Sequence, residues 1–169
     1  MPASKDRPLW AELPADVRRG IERIAGARAV ADRSQSGGFS PGLAARLGLA
    51  DGRRVFAKAI GAEWPIERPF HRREARIAAA LPAGVPAPAL LGTLDNGDWI
   101  ALVFADIDGH EPAQPWRAAE LERVVAAVSR LSSVGADSLT DDHPRLGGWS
   151  ELDAAQLDAL PGLSPWAAT

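Results

Sequence analysis

The stretch Val55-Phe56-Ala57-Lys58-Ala59-Ile60 decides the fold, because it predicts a β-strand that carries one charge among apolar residues. Strand alternation places Lys58 on the same face as Phe56 and Ile60. An ammonium group on an apolar face is costly unless a carboxylate or a bound anion compensates its charge. Only two of the 19 basic residues are lysines, Lys5 and Lys58. A lysine inside an apolar strand of this chain therefore needs a specific explanation. The alternative is a lysine that snorkels to water at the strand end.

The segment that follows the strand offers the compensating charge. Residues 65–81 predict a helix that is closed by Pro82. Four of its residues share one face at the spacing i, i+4, i+7 and i+11: Phe70, Glu74, Ile77 and Leu81. Glu74 is therefore predicted to lie within the buried stripe and to pair with Lys58. The alternative is a rotated helix that leaves Glu74 half exposed.

Other strand and helix patterns surround this pair. An extended stretch after residue 27 and alternating strands at 43–49, 89–94 and 99–104 complete a sheet of about five strands, mainly antiparallel because short turns join its hairpins. Amphipathic helices are predicted at 12–25 and 116–134, and a short one at 151–160. The fold class is therefore α+β, in which one helix is packed on the sheet and a helical region follows.

Composition restricts the functions that this chain can have. Its 169 residues, 46% of them hydrophobic, suffice for one ordinary domain. A net charge of −3 gives no basic footprint for nucleic acid or for an anionic membrane surface. The absence of cysteine removes thiolate and zinc-cysteine chemistry. No segment resembles a signal peptide or a membrane span, so we expect a cytoplasmic protein with a small-molecule partner.

Two loops flank the charged pair in sequence. The turn at 34–42 contains Gly38, Phe39 and Ser40, and its amides and hydroxyl could approach an anion, although a plain hairpin connection is the alternative. The strand that ends at Phe104 runs into the connector 105–109, which could equally be an ordinary loop. The connector carboxylates are expected to be solvated or to line a substrate mouth, and not to form a metal cluster: Asp106, Asp108 and Glu111.

Taken in order, the segments between residues 30 and 134 resemble the aminoglycoside phosphotransferase family, which has a protein-kinase-like fold. The resemblance implies that ATP binds with its β-phosphate at the loop of Gly38, Phe39 and Ser40. It further implies that Lys58 contacts the α- and β-phosphates and that Glu74 holds Lys58. With this resemblance the chain divides into an N-terminal helix (1–26), a kinase-like lobe (27–104), a hinge (105–115) and part of a helical lobe (116–169).

The same resemblance assigns the adenine pocket. Phe56 occupies the position where the family places a side chain against the adenine ring, and Phe104 would border the back of the pocket. The backbones of Ala105 and Ile107 would make the adenine hydrogen bonds. In the intact family the acceptor is a hydroxyl group on a small molecule.

The family's catalytic loop, H-G-D followed by Asn, and its later metal-binding Asp do not occur in this sequence. His143 lies in the wrong context, and 151–169 looks like the opening of a second lobe that breaks off. We therefore expect the Mg²⁺ ligands to be in a missing part, and the chain to bind nucleotide with little transferase activity of its own. The alternatives are a non-catalytic pairing module completed by a second chain, and an unrelated α+β domain.

Overall fold

A computed structural model describes residues 7–35, 40–132 and 134, all of which belong to one compact unit of residues 1–135. Its centre is a five-stranded antiparallel sheet with the strand order β1-β2-β3-β5-β4. The strands are β1 (Ala29–Ser34), β2 (Leu43–Leu49), β3 (Arg54–Gly61), β4 (Leu90–Asp95) and β5 (Trp99–Ala105). This sheet confirms the predicted α+β class.

Three α-helices accompany the sheet: α1 (Ala15–Ala25), α2 (Arg68–Ala80) and α3 (Ala118–Ser132). The first predicted helix starts later than expected, because Pro14 caps α1 and a short 3₁₀ turn, Trp10–Glu12, precedes it. It ends at Gly26, whose φ of 80° requires the left-handed conformation that glycine adopts most easily. The predicted helix at 151–160 and the segment around His143 lie outside the described residues.

One face of the sheet is covered by α1, and this face is apolar on β2, β3 and β5. Alternate residues of these strands point to it and pack in one cluster with Val17 and Ile21 of α1. The strand residues in this cluster are Leu43, Ala45, Leu47, Leu49, Val55, Ala57, Ala59, Ala101 and Val103. Burial of the β3 residues fixes the register of this strand, since a slip of one residue would turn Lys58 into the core.

The opposite face of the sheet carries the predicted charge. Ile60, Ile100, Leu102 and Phe104 form a second buried cluster there, against which residues of α2 pack. Lys58 lies on this face, as its alternation with Phe56 and Ile60 predicts. Opposite it in the neighbouring strands are Ala44 and Leu102.

The rotation of α2 differs from the predicted stripe. Phe70 is 60% exposed and His71 is buried, so the prediction that Phe70 lies in the buried face is wrong. Ala75 and Ala78 pack on the sheet instead. The alanine side chains of α2 are small and lie on several of its faces, so the sequence does not fix which face packs on the sheet. Glu74 is left half buried, as the alternative prediction had it.

Gly42 approaches the backbone of β3 so closely that it should tolerate no side chain. A Cβ atom at this position would collide with the carbonyl oxygen of Ala59, which cannot move without disrupting the sheet. We expect Gly42→Ala to lower the free energy of unfolding by about 1–3 kcal/mol, measured by urea denaturation. Gly48→Ala is the matched control, since its Cβ would meet only the Ala31 side chain at 3.4 Å. Equal stability of the two variants would contradict this packing.

His71 should make the fold sensitive to acid. Burial lowers the pKa of this imidazole below its ordinary value, while the nearby Glu67 carbonyl acts in the opposite direction. Protonation therefore favours the unfolded chain, so His71 should reduce stability as the pH falls through and below about 6.5. We expect wild type to lose more stability between pH 7.5 and 5.5 than His71→Gln, in urea unfolding at each pH. The exposed His110 provides the control, and His110→Gln should keep the wild-type pH dependence.

Candidate functional site

The predicted ion pair between the strand lysine and the helix glutamate is present. Lys58 Nζ lies 2.6 Å from Glu74 Oε1 and 5.9 Å from the centre of the Phe104 ring. The two charged side chains are 33% and 38% exposed, so both the ammonium and the carboxylate remain accessible from outside. The carboxylate holds the ammonium in place against the apolar strand face, and the pair can still receive a ligand anion.

A cavity of about 500 Å³, here called the inner cavity, opens beside this pair. Six residues predicted from the sequence line it: Phe56, Lys58, Glu74, Phe104, Ala105 and Ile107. Ile77 of α2, Leu81 directly after this helix, and the proline-rich loop at 87–88 add to its apolar wall. An apolar cavity with a few convergent polar groups is typical of small-molecule sites.

A second cavity of about 280 Å³, here called the outer cavity, lies on the other side of the ion pair. It shares Phe56, Lys58 and Glu74 with the inner cavity, and it adds Ser40 and His71. The Ser40 hydroxyl accepts a hydrogen bond from the Gly42 N–H group at 3.4 Å. The structure thus brings Ser40 to the charged pair, whereas the predicted Gly38 and Phe39 lie outside the described residues.

The last residue of β5 and the connector after it line the inner cavity with Ala105, Asp106 and Ile107. The Ala105 N–H group donates to the Ala89 carbonyl at 2.8 Å. The Ile107 carbonyl accepts from Arg46 Nη2 at 3.0 Å. Within the described ranges, the Ile107 N–H group has no hydrogen-bond partner. One backbone donor of the two predicted connector residues is therefore free, and one carbonyl is already engaged.

Asp106 is buried, so the expectation that it is solvated is wrong, while the alternative, a place in a substrate mouth, stays a prediction. Its side chain is 5% exposed and lies between two guanidinium groups, with Arg46 Nε 3.0 Å from Oδ1 and Arg54 Nε 3.0 Å from Oδ2. Arg54 Nε and Asp106 Oδ2 lie within ion-pair distance, but their geometry is not that of a hydrogen bond. Two positive charges offset the cost of burying one carboxylate. Asp108, in contrast, is 94% exposed, as expected.

Arg46 is a site residue that the sequence analysis missed. It lies on β2 opposite Phe56, and it lines the inner cavity. The sequence does contain an indication of its role, because Arg46 is the one charged residue of an otherwise apolar strand, on the same face as Ala44. Its significance depends on the position of the connector, which strand periodicity does not reveal.

The described residues contain no cluster of three or more potential metal ligands. Among the helices of that part of the chain, none is long and apolar enough to cross a membrane. What the site offers is an apolar cavity lined by two neighbouring aromatic side chains, Phe56 and Phe104, beside an ammonium group that also lines the outer cavity. This arrangement suits a ligand that carries both an apolar part and an anionic group.

Comparisons with protein-family models and with curated proteins gave no match. Two solved structures, each named "putative fructosamine-3-kinase", are similar to part of the chain. The protein from Thermobifida fusca YX-ER1 is 24% identical over 57% of this chain, with a TM-score of 0.44. The protein from Haemophilus somnus 129PT is 14% identical over 70% of this chain, with a TM-score of 0.46. The chain spans 33% and 38% of the lengths of those proteins, and likenesses of this extent do not assign it to a family.

Proposed function

We propose that this chain is the ATP-binding portion of a small-molecule hydroxyl kinase of the aminoglycoside phosphotransferase type. The observation that carries the proposal is the Lys58–Glu74 pair at the junction of the two cavities. A lysine held by a helix carboxylate is the arrangement that orients ATP phosphates in protein-kinase-like folds. The half-exposed position of the pair between the two cavities leaves its ammonium group open to a ligand.

In this proposal the adenine ring occupies the inner cavity, against the Phe56 side chain and with Phe104 at the back of the pocket. The backbone of the connector, at Ala105 and Ile107, makes its hydrogen bonds. The phosphates extend past Lys58 toward Ser40 in the outer cavity, where the loop of Gly38 and Phe39 adds further amides. Lys58 neutralises charge on the phosphates, and Glu74 keeps its ammonium group in place.

Phosphoryl transfer depends on positioning and on charge stabilisation, which Mg²⁺ and an acceptor-orienting aspartate mainly supply. Neither the H-G-D motif nor its metal ligands occur in this sequence. We therefore propose weak nucleotide binding and little transferase activity for the chain alone. The acceptor is a hydroxyl group on a small molecule, recognised chiefly by segments that this chain does not contain.

A second candidate function is a pairing module that a separate chain completes. The helix α3 favours it, because none of its residues is buried and four large apolar side chains on it are exposed: Leu121, Val125, Val128 and Leu131. An apolar stripe of this kind favours association.

The pairing candidate predicts a stable complex with a helical second-lobe chain from the same source. We expect the two chains to copurify and the mixture to show ATP-dependent phosphorylation that neither chain shows alone. Replacing Val125 and Val128 together by Asp should abolish the complex and leave the melting temperature of the isolated chain unchanged. A monomer that stays inactive in every such mixture would contradict this candidate.

The proposed ATP site predicts that millimolar Mg-ATP raises the melting temperature of the chain. In Lys58→Ala this stabilisation should largely disappear, with affinity reduced roughly tenfold or more because a charge-assisted contact is lost. Arg72→Ala is the control, because it removes an ion pair with Asp95 at 2.7 Å that lies outside both cavities. Calorimetric titration would give the affinities. Absence of any stabilisation of wild type by Mg-ATP would contradict the proposal.

A further inference from the structure

One arginine that lines the inner cavity makes two contacts with the connector. Arg46 donates from Nη2 to the Ile107 carbonyl, and its Nε atom lies 3.0 Å from Asp106 Oδ1. Both Arg46 and Ile107 line the cavity, so this guanidinium group lies where a ligand would meet the connector. Asp106 is itself buried, which fixes the guanidinium group in place.

This contact determines which hydrogen-bonding groups the connector offers. A carbonyl oxygen can accept two hydrogen bonds, but here one is taken by a cation. A second donor that approaches the same oxygen would also approach the positive charge of Arg46. The free Ile107 N–H group remains able to donate. This part of the cavity therefore favours a ligand edge that accepts hydrogen bonds and disfavours one that donates them.

The two common purine bases differ in this respect. Adenine presents the N1 acceptor beside its N6 amino donor, whereas guanine presents an N1–H donor, an N2 amino donor and the O6 acceptor. We propose that Arg46 sets the base preference of the inner cavity. It selects adenine by engaging the Ile107 carbonyl, which guanine would need as an acceptor. This inference rests on the proposed nucleotide site and adds its specificity. The selection uses repulsion between guanine donors and the Arg46 cation, as well as attraction between an acceptor on the base and the Ile107 N–H group.

The chain contains a matched control for this role. Arg54 also pairs with Asp106, at 3.0 Å, but it is not among the residues that line the inner cavity, and it bonds to Asp108 and not to Ile107. Replacing either arginine by methionine removes one partner of the buried carboxylate. Only the change at Arg46 frees the Ile107 carbonyl.

The test is calorimetric titration of the 169-residue chain with Mg-ATP and Mg-GTP, for wild type, Arg46→Met and Arg54→Met. We expect wild type to prefer ATP. In Arg46→Met the ratio of the two dissociation constants should fall about fivefold, a modest effect because water competes at this partly exposed contact. Arg54→Met should keep the wild-type ratio.

Wild-type binding of GTP as tight as that of ATP would overturn the inference, as would an unchanged ratio in Arg46→Met. Lys58→Ala distinguishes failure of this inference from failure of the proposed nucleotide site. It should weaken the binding of ATP and of GTP equally and leave the ratio of their dissociation constants unchanged. If Lys58→Ala behaves in this way while Arg46→Met does not shift the ratio, the nucleotide site stands and the inference fails. If wild type binds neither nucleotide, the proposed function fails and the inference with it.

A ligand-side measurement covers the case in which Arg46→Met does not fold. The triphosphate of 2,6-diaminopurine riboside keeps the adenine N6 and N1 groups and adds an amino donor at C2. We expect wild type to bind it about fivefold more weakly than ATP, because the added donor meets an engaged carbonyl beside a cation. Equal affinity for the two compounds would overturn the inference.

Discussion

The structure depends on the requirement that one ammonium group be compensated on an otherwise apolar strand. β3 lies in the middle of the sheet, and its Val55, Ala57 and Ala59 side is completely buried against α1. Lys58 must therefore point to the other side, where only α2 can supply a carboxylate near it. Glu74 meets this requirement at 2.6 Å, and the two cavities open beside the pair.

Partial exposure of the ion pair links this constraint to function. A fully buried pair would be costly to desolvate and closed to any ligand, and a fully exposed pair would be weakly held. Lys58 and Glu74 lie between these limits, with the ring of Phe104 on one side and Ser40 on the other. The proposed nucleotide binding rests on this cation, which lies where the inner and outer cavities meet.

The connector shows how side chains can determine what a backbone offers. Asp106 is buried between Arg46 and Arg54, and Arg46 also engages the Ile107 carbonyl. The three charged residues come from β2, β3 and the connector, so the hairpin and the connector are held together at the cavity. Hydrogen bonds of the connector are therefore controlled by a residue about sixty positions away in the sequence.

The sequence by itself determined the strands and the hairpins, because alternation and turn chemistry are local properties. It also predicted the pairing of Lys58 with Glu74, because each is a charge that its own apolar pattern does not explain. The six predicted residues that line the inner cavity came from these two charges and from the family resemblance. Only the tertiary structure decided the rotation of α2, since its alanines leave several faces equally apolar. Contacts with the sheet determine that His71 is buried and that Phe70 is exposed. It alone decided the burial of Asp106, because a connector carboxylate looks solvated until arginines from two distant strands converge on it.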